Sequence, residues 1–192
     1  KRVAEAIDAG AAILGENYIQ EARDKFNTLH KRPVQWHFIG HLQSKKAGKI
    51  PGNFHWIHTV DNLKLAEKLS AAMLRHDQKV PLNCLLQVNI SGEASKSGLA
   101  PDQLTPFIDE LLSHDLPGLR WRGLMTMGVK DDDDETRRVF DTLRESLQMI
   151  RQHTGQDDFD QLSMGMSNDF AIAIEEGATM VRIGSSIFGP RM

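Results

Sequence analysis

The chain has 192 residues, of which 40% are hydrophobic and 26% are charged, and its formal net charge is -3 at pH 7. This composition is typical of a soluble globular protein and excludes disordered and collagen-like chains. The slightly acidic balance argues against a nucleic-acid partner. The single cysteine, Cys84, lies in an apolar run, which predicts a buried side chain and a reducing, cytoplasmic setting. We expect one domain over residues 1–192, without a membrane span or secretion signal.

Short apolar runs that end in Gly, Asn, Ser or Asp alternate with longer amphipathic stretches. The runs predict seven strands, at residues 11–14, 36–39, 56–60, 84–88, 122–127, 161–164 and 179–183. The amphipathic stretches predict helices at residues 18–29, 45–50, 62–75, 101–113, 134–153 and 169–176. Strict alternation of strands and helices predicts a parallel sheet covered by helices.

The number of strands bears on the choice between a closed barrel and an open sheet. A (β/α)8 barrel has eight strands and commonly about 250 residues, one unit more than the pattern contains. The chain begins within a helical pattern, residues 3–10, which ends at a glycine and has no capping residue before it. We therefore predict a (β/α)8 TIM barrel whose first strand is missing from the given chain. An open seven-stranded sheet is the alternative.

Two turns near the end of the chain are candidates for binding phosphate. In barrels of this type, the loops after the last two strands frequently form a phosphate site. Ser167 follows the strand at 161–164, and Gly184 and Ser185 follow the strand at 179–183, where hydroxyl and amide groups can approach an anion. The alternative is that Ser167 only caps a helix and Gly184 only turns the chain.

Arg182 is the second candidate, because the alternation of side chains along a strand directs it toward the barrel interior. A buried guanidinium needs an acceptor, and the sequence leaves open whether this is a carboxylate or a ligand atom. Asn17 lies in a loop where ligand contacts occur, although it is equally typical of a turn. His37 is either a hydrogen-bonded core residue or a ligand contact. No zinc-ligand spacing occurs, so no metal site is predicted.

Several motifs carry a resemblance to a known family: Gly15-Glu16-Asn17-Tyr18, Trp36-His37-Phe38-Ile39-Gly40, Ser95-Lys96-Ser97-Gly98, Arg122-Gly123-Leu124-Met125, Leu162-Ser163-Met164-Gly165-Met166-Ser167 and Val181-Arg182-Ile183-Gly184-Ser185. In these motifs the chain resembles the YggS family of pyridoxal 5'-phosphate (PLP) homeostasis proteins over essentially its whole length. The resemblance implies a single barrel of the fold-type III PLP proteins, similar to the N-terminal domain of alanine racemase. It also implies PLP held as a Schiff base on a lysine, without a well-established catalytic reaction.

When the functional residues of the family are transferred to the matching motif positions, the resemblance assigns cofactor-binding roles to six residues: Asn17, Met125, Ser167, Arg182, Gly184 and Ser185. Ser167, Gly184 and Ser185 would hold the phosphate, and Arg182 would bond the pyridine nitrogen. Asn17 and Met125 would lie near the ring. The Schiff-base lysine of the family lies on the first barrel strand, which corresponds to a position upstream of Lys1.

The resemblance therefore implies a non-enzymatic, monomeric PLP-binding protein of intracellular PLP homeostasis, which buffers or delivers the cofactor. A PLP-dependent amino acid racemase-like enzyme is the alternative. Racemases with a similar barrel share the arginine but add a second domain and a tyrosine base, whereas this chain contains a single tyrosine, Tyr18. An aldolase or isomerase of sugar phosphates, and a protein that docks on apo PLP-dependent enzymes, are further hypotheses.

Overall fold

The computed structural model describes residues 2–29, 31–76 and 80–189. Within these residues, seven strands form one parallel sheet in sequential order. All seven predicted strands are present, although the first begins two residues later than expected. They are β1 (Ile13–Glu16), β2 (Gln35–Phe38), β3 (Trp56–Val60), β4 (Leu82–Gln87), β5 (Leu119–Met125), β6 (Gln161–Met166) and β7 (Met180–Arg182).

The predicted helices are also present, and a 3-10 helix, Ser44–Lys49, replaces the α-helix expected at 45–50. This segment is too short for a full amphipathic repeat, and 3-10 geometry is typical of such short pieces. A second 3-10 turn, Pro101–Gln103, precedes α4, and a short unpredicted helix follows β7. The α-helices are α1 (Arg2–Asp8), α2 (Ile19–Leu29), α3 (Leu63–Arg75), α4 (Leu104–Ser113), α5 (Asp133–Thr154), α6 (Phe170–Glu175) and α7 (Ser185–Phe188).

The ends of α5, the longest of these helices, follow from the local sequence. The side chain of Asp132 caps its first turn by accepting a hydrogen bond from the Glu135 amide at 2.9 Å. Gly155 ends the helix in the left-handed region, at φ 66°, which glycine adopts without steric strain. The buried face of α5 packs against the sheet through Thr136, Val139, Phe140, Leu143, Leu147 and Ile150.

The sheet is curled into a nearly closed barrel. His58 on β3 and Ser163 on β6 are hydrogen-bonded at 2.8 Å between Nδ1 and Oγ, although β4 and β5 lie between these strands. Neighbouring strands are about 4.8 Å apart, so a flat sheet would separate the two strands by about 14 Å. The strand order also lacks the reversal that open doubly wound sheets have. Among the described residues, β1 and β7 are the two edges of the barrel.

The core lies on both faces of the strands, as the sequence pattern predicts for a parallel sheet. On β4, Cys84, Leu85 and Leu86 are completely buried. Burial raises the pKa of the Cys84 thiol far above its usual range, which agrees with a packing role for this residue. Across the described ranges, no helix is both long enough and apolar enough to cross a membrane.

Candidate functional site

The loops after β6 and β7 meet at the carboxyl end of the sheet. Ser167 Oγ accepts hydrogen bonds from the backbone amides of Gly184 and Ser186, at 3.1 and 3.3 Å. Helix α7 begins at Ser185, so amide groups of its first turn have no partner within the helix. The fold therefore brings together the three residues considered for phosphate: Ser167, Gly184 and Ser185.

Space is available beside this turn. Gly184 and Ser185 are exposed, and no atom lies within 4 Å of the position that a Cβ of Gly184 would occupy. Packing within the chain therefore does not require a glycine at this position. Hydroxyl and amide groups next to open space are able to bind an anion.

Arg182 points from β7 into the barrel interior, as the alternation of side chains predicts. Its guanidinium donates from Nη1 to Ser163 Oγ and from Nη2 to the carbonyl oxygen of Thr126, both at 2.8 Å. Burial lowers the pKa of Arg182 to about 10, and the negative charge of Asp169 opposes this shift. Arg182 therefore remains a cation at neutral pH.

The acceptors of Arg182 bear on a choice that the sequence left open. A carboxylate partner was one of two alternatives, but none of the ion pairs among residues 2–29, 31–76 and 80–189 involves Arg182. A hydroxyl and a carbonyl oxygen accept its hydrogen bonds instead. The guanidinium thus keeps its positive charge without a directly bonded carboxylate, two residues before the turn at Gly184.

Two buried histidines continue the hydrogen bonding that starts at Arg182. Ser163 Oγ lies 2.8 Å from His58 Nδ1, and His58 Nε2 lies 3.0 Å from His37 Nδ1. Burial lowers the pKa of His37 to about 4, with a smaller contribution from His55. Burial also holds the pKa of His58 well below its usual value, assisted by the charges of His37 and Arg182. Both imidazoles are therefore neutral at neutral pH.

Asn17 and Met125 lie on the same rim, because each stands at the carboxyl end of a parallel strand. Met125 is the last residue of β5 and is buried, and the carbonyl of the next residue, Thr126, binds Arg182. Asn17 is half-buried and follows β1. A Cβ on Gly40 would lie only 2.1 Å from the Asn17 carbonyl oxygen, so a glycine is needed for the close approach of these two loops.

Four residues of this region were missed by reasoning from the sequence: His58, Thr126, Ser163 and Ser186. The alternation along β3 and β6 gives a signal for His58 and Ser163, since it directs one polar side chain of each strand inward. Thr126 and Ser186 contribute a backbone carbonyl and a backbone amide, which side-chain patterns cannot identify.

Comparison with known proteins gives consistent matches. The family described as alanine racemase, N-terminal domain, matches residues 1–192. A pyridoxal phosphate homeostasis protein from Pseudomonas aeruginosa is 47% identical over 190 residues, which are 98% of this chain and 79% of the relative. One from Escherichia coli is 44% identical over 195 residues, covering 98% of this chain and 80% of the relative.

Solved structures give the same result. PipY from Synechococcus elongatus, crystallised with PLP bound, superposes with a TM-score of 0.88 at 34% identity, covering 97% of this chain and 86% of that one. Alanine racemase from Corynebacterium glutamicum has a TM-score of 0.70 at 19% identity, covering 98% of this chain and 52% of that one, which shows a likeness of fold. The predicted TIM-barrel architecture is thus confirmed. The chain belongs to the family of pyridoxal phosphate homeostasis proteins.

Proposed function

We propose that this protein binds PLP at the rim formed by the loops after β5, β6 and β7, and that it buffers or delivers the cofactor without catalysing a reaction. The relatives in Pseudomonas aeruginosa and Escherichia coli are named for PLP homeostasis, and PipY has been crystallised with PLP. The observation that carries the proposal is the position of a partly buried cation, Arg182, on the strand that leads directly into the turn bonded to Ser167.

The described residues fit the two ends of PLP. The phosphate group needs hydroxyl and amide donors. The hydroxyl groups of Ser167 and Ser185 and the amide of Ser185 would provide them, while Gly184 leaves open space for the phosphate and holds Ser167 in place through its own amide. The pyridine nitrogen needs a donor, and Arg182 would provide one, since its described hydrogen bonds use only part of its N–H groups. Asn17 and Met125 would flank the ring.

The donor proposed at the pyridine nitrogen limits the chemistry that bound PLP can support, which fits a carrier. When bound, PLP supplies an aldehyde that can condense with a lysine and a ring that can withdraw electrons. Arg182 has no acceptor lone pair and stays protonated, so it can only donate to the ring nitrogen and leaves that nitrogen without its own proton. A neutral pyridine is a weaker electron sink than a pyridinium.

The lysine that condenses with PLP would come from a strand upstream of Lys1. The chain spans about four-fifths of the curated relatives. Among the described strands, β1 and β7 form the edges of the barrel. A strand placed between these edges would put a lysine beside Arg182 and the phosphate turn. We further propose a monomeric, cytoplasmic protein that hands PLP to apo PLP-dependent enzymes.

Titration of the full-length protein with PLP, followed by borohydride reduction and peptide mapping, tests the binding proposal. We expect saturable binding and a stable adduct on one lysine upstream of Lys1. Equal labelling of many surface lysines, or no saturable binding, would contradict it. Titration with inorganic phosphate as competitor provides a control for the phosphate end, since it should displace PLP weakly without forming any adduct.

An assay of amino acid racemisation with the same full-length protein distinguishes the carrier from the racemase-like alternative. Single enantiomers of amino acids are incubated with the PLP-loaded protein, and optical rotation is followed over time. We expect turnover no greater than that of free PLP at the same concentration. Turnover well above free PLP would overturn the non-enzymatic part of the proposal while leaving PLP binding intact.

A further inference from the structure

A chain of hydrogen bonds crosses the barrel interior from β7 to β2. Arg182 Nη1 contacts Ser163 Oγ, Ser163 Oγ contacts His58 Nδ1, and His58 Nε2 contacts His37 Nδ1, at 2.8, 2.8 and 3.0 Å. Ser163, His58 and His37 are each at most 3% exposed. Water therefore has little access to these groups, and the chain must satisfy its hydrogen bonds internally.

The direction of this chain is set at Arg182, because a guanidinium donates hydrogen bonds and cannot accept them. Ser163 Oγ must accept from Arg182, which leaves its own hydrogen for His58 Nδ1. His58 then carries its hydrogen on Nε2 and donates it to His37 Nδ1. His37 in turn carries its hydrogen on Nε2.

The opposite orientation satisfies fewer groups. If both histidines carried hydrogen on Nδ1, Ser163 Oγ would accept from His58 as well as from Arg182, and its hydroxyl hydrogen would have no acceptor among the contacts of the described residues. His37 Nε2 has no partner within those residues in either case. The first orientation leaves one buried group unsatisfied, and the second leaves two, which costs more free energy.

We infer that Ser163 and His58 are positioning residues for Arg182, and that the fixed hydroxyl orientation of Ser163 aims the guanidinium at the ring nitrogen of the cofactor. This inference rests on the proposed function, in which Arg182 contacts that nitrogen. His58 takes the only hydrogen of the Ser163 hydroxyl, so this oxygen presents lone pairs alone to Arg182. Without His58 the hydroxyl would rotate, and the guanidinium would lose a fixed acceptor.

Nitrogen-15 NMR of the histidine side chains tests the orientation in the full-length protein without PLP. At pH 7.5 we expect both His58 and His37 as neutral rings with hydrogen on Nε2, and the shift of His58 Nδ1 should indicate a hydrogen-bond acceptor. Assignment uses the single variants His58→Gln and His37→Gln. A His58 ring with hydrogen on Nδ1 would overturn the inferred direction.

PLP and an analogue with a C–H group in place of the pyridine nitrogen test the positioning role. Ser163→Ala should raise the dissociation constant of PLP about tenfold, as expected for a weakened hydrogen bond from a charged donor. The same substitution should change the dissociation constant of the analogue by less than about twofold. His58→Gln provides a second variant. Equal effects on both ligands, or no effect on either, would overturn the role.

Two controls separate this inference from the function on which it rests. Ser70→Ala removes another buried hydroxyl, which accepts from the Gly118 amide at 3.2 Å, and it should leave both dissociation constants unchanged. Thermal melting monitors folding of each variant. Failure of the unsubstituted protein to bind PLP would overturn the proposed function. A dissociation constant of PLP that Ser163→Ala leaves unchanged would overturn only the positioning role.

Discussion

Ser167 accepts a hydrogen bond from the amide of Gly184 at 3.1 Å, which ties the loop after β6 to the loop after β7. The two residues are 17 positions apart, with helix α6 and strand β7 between them. This contact forms the end of the barrel at which the phosphate of PLP is proposed to bind.

Ser167→Ala should weaken PLP binding about tenfold, because it removes a hydroxyl donor to the phosphate and the acceptor of two loop amides. The dissociation constant is measured by absorbance titration of the full-length protein. Pyridoxal without phosphate should bind the variant and the unsubstituted protein equally. Ser113→Ala is the matched control, since Ser113 lies at the end of α4, where its hydroxyl bonds the Glu110 carbonyl. An equal loss for pyridoxal would count against a phosphate role.

Arg182→Gln should lower the affinity for PLP about 30-fold, since the ring nitrogen loses a charged donor. The absorbance spectrum of the bound cofactor, recorded across pH, should show that the ring nitrogen becomes easier to protonate. Arg122→Gln serves as control because Arg122 is half-buried on β5 and bonds the carbonyl of Asp158 instead. An unchanged spectrum and affinity for Arg182→Gln would contradict the proposed contact.

The buried pair His37 and His58 should make the folded protein less stable in acid. The pKa of His37 is lowered from 6.5 to about 4, mainly by burial, and that of His58 is lowered as well. The unfolded chain therefore binds protons that the folded chain excludes. The contribution to stability is fully present above pH 6.5 and is lost as the pH falls from 6.5 toward 4. For His37 it amounts to about 3 kcal/mol.

Urea unfolding at several pH values between 7.5 and 4.5 measures this contribution. His37→Gln should flatten the loss of stability over this range relative to the unsubstituted protein. His55→Gln is the control, because His55 Nδ1 accepts a hydrogen bond from the Trp36 amide and lies outside the buried pair. This variant should retain most of the dependence of the unfolding free energy on pH. Identical slopes for all three proteins would show that the buried pair does not exclude protons.

Gly40→Ala should destabilise the fold by about 3 kcal/mol, because its Cβ would lie 2.1 Å from the backbone oxygen of Asn17. One of the two loops would have to move, which would also disturb the rim near the proposed ring position. Gly48→Ala is the control, since no atom lies within 4 Å of the corresponding Cβ and its unfolding free energy should change by less than about 1 kcal/mol. Urea unfolding compares the variants, and equal stabilities would contradict the close approach.

The sequence alone predicts the seven strands, because short apolar runs and amphipathic helices have periods that depend only on local geometry. The two ends of α5 are also determined by local sequence, since Asp132 and Gly155 act on neighbouring residues. The two turns at Ser167 and Gly184 follow consecutive strands, so a parallel sheet places them side by side. Each of these features involves residues that are neighbours in the chain or in strand order.

The partners of Arg182 and the histidine chain were decided only by the tertiary structure. His58 and Ser163 are 105 residues apart on strands that are not neighbours in the sheet. The curvature of the sheet brings them into contact, and this curvature comes from the packing of all strands and helices together. Alternation predicts which side chains point inward, but the partner of each inward side chain depends on the closed shape of the barrel. For this reason the sequence could place Arg182 in the interior without identifying Ser163 and Thr126 as its acceptors.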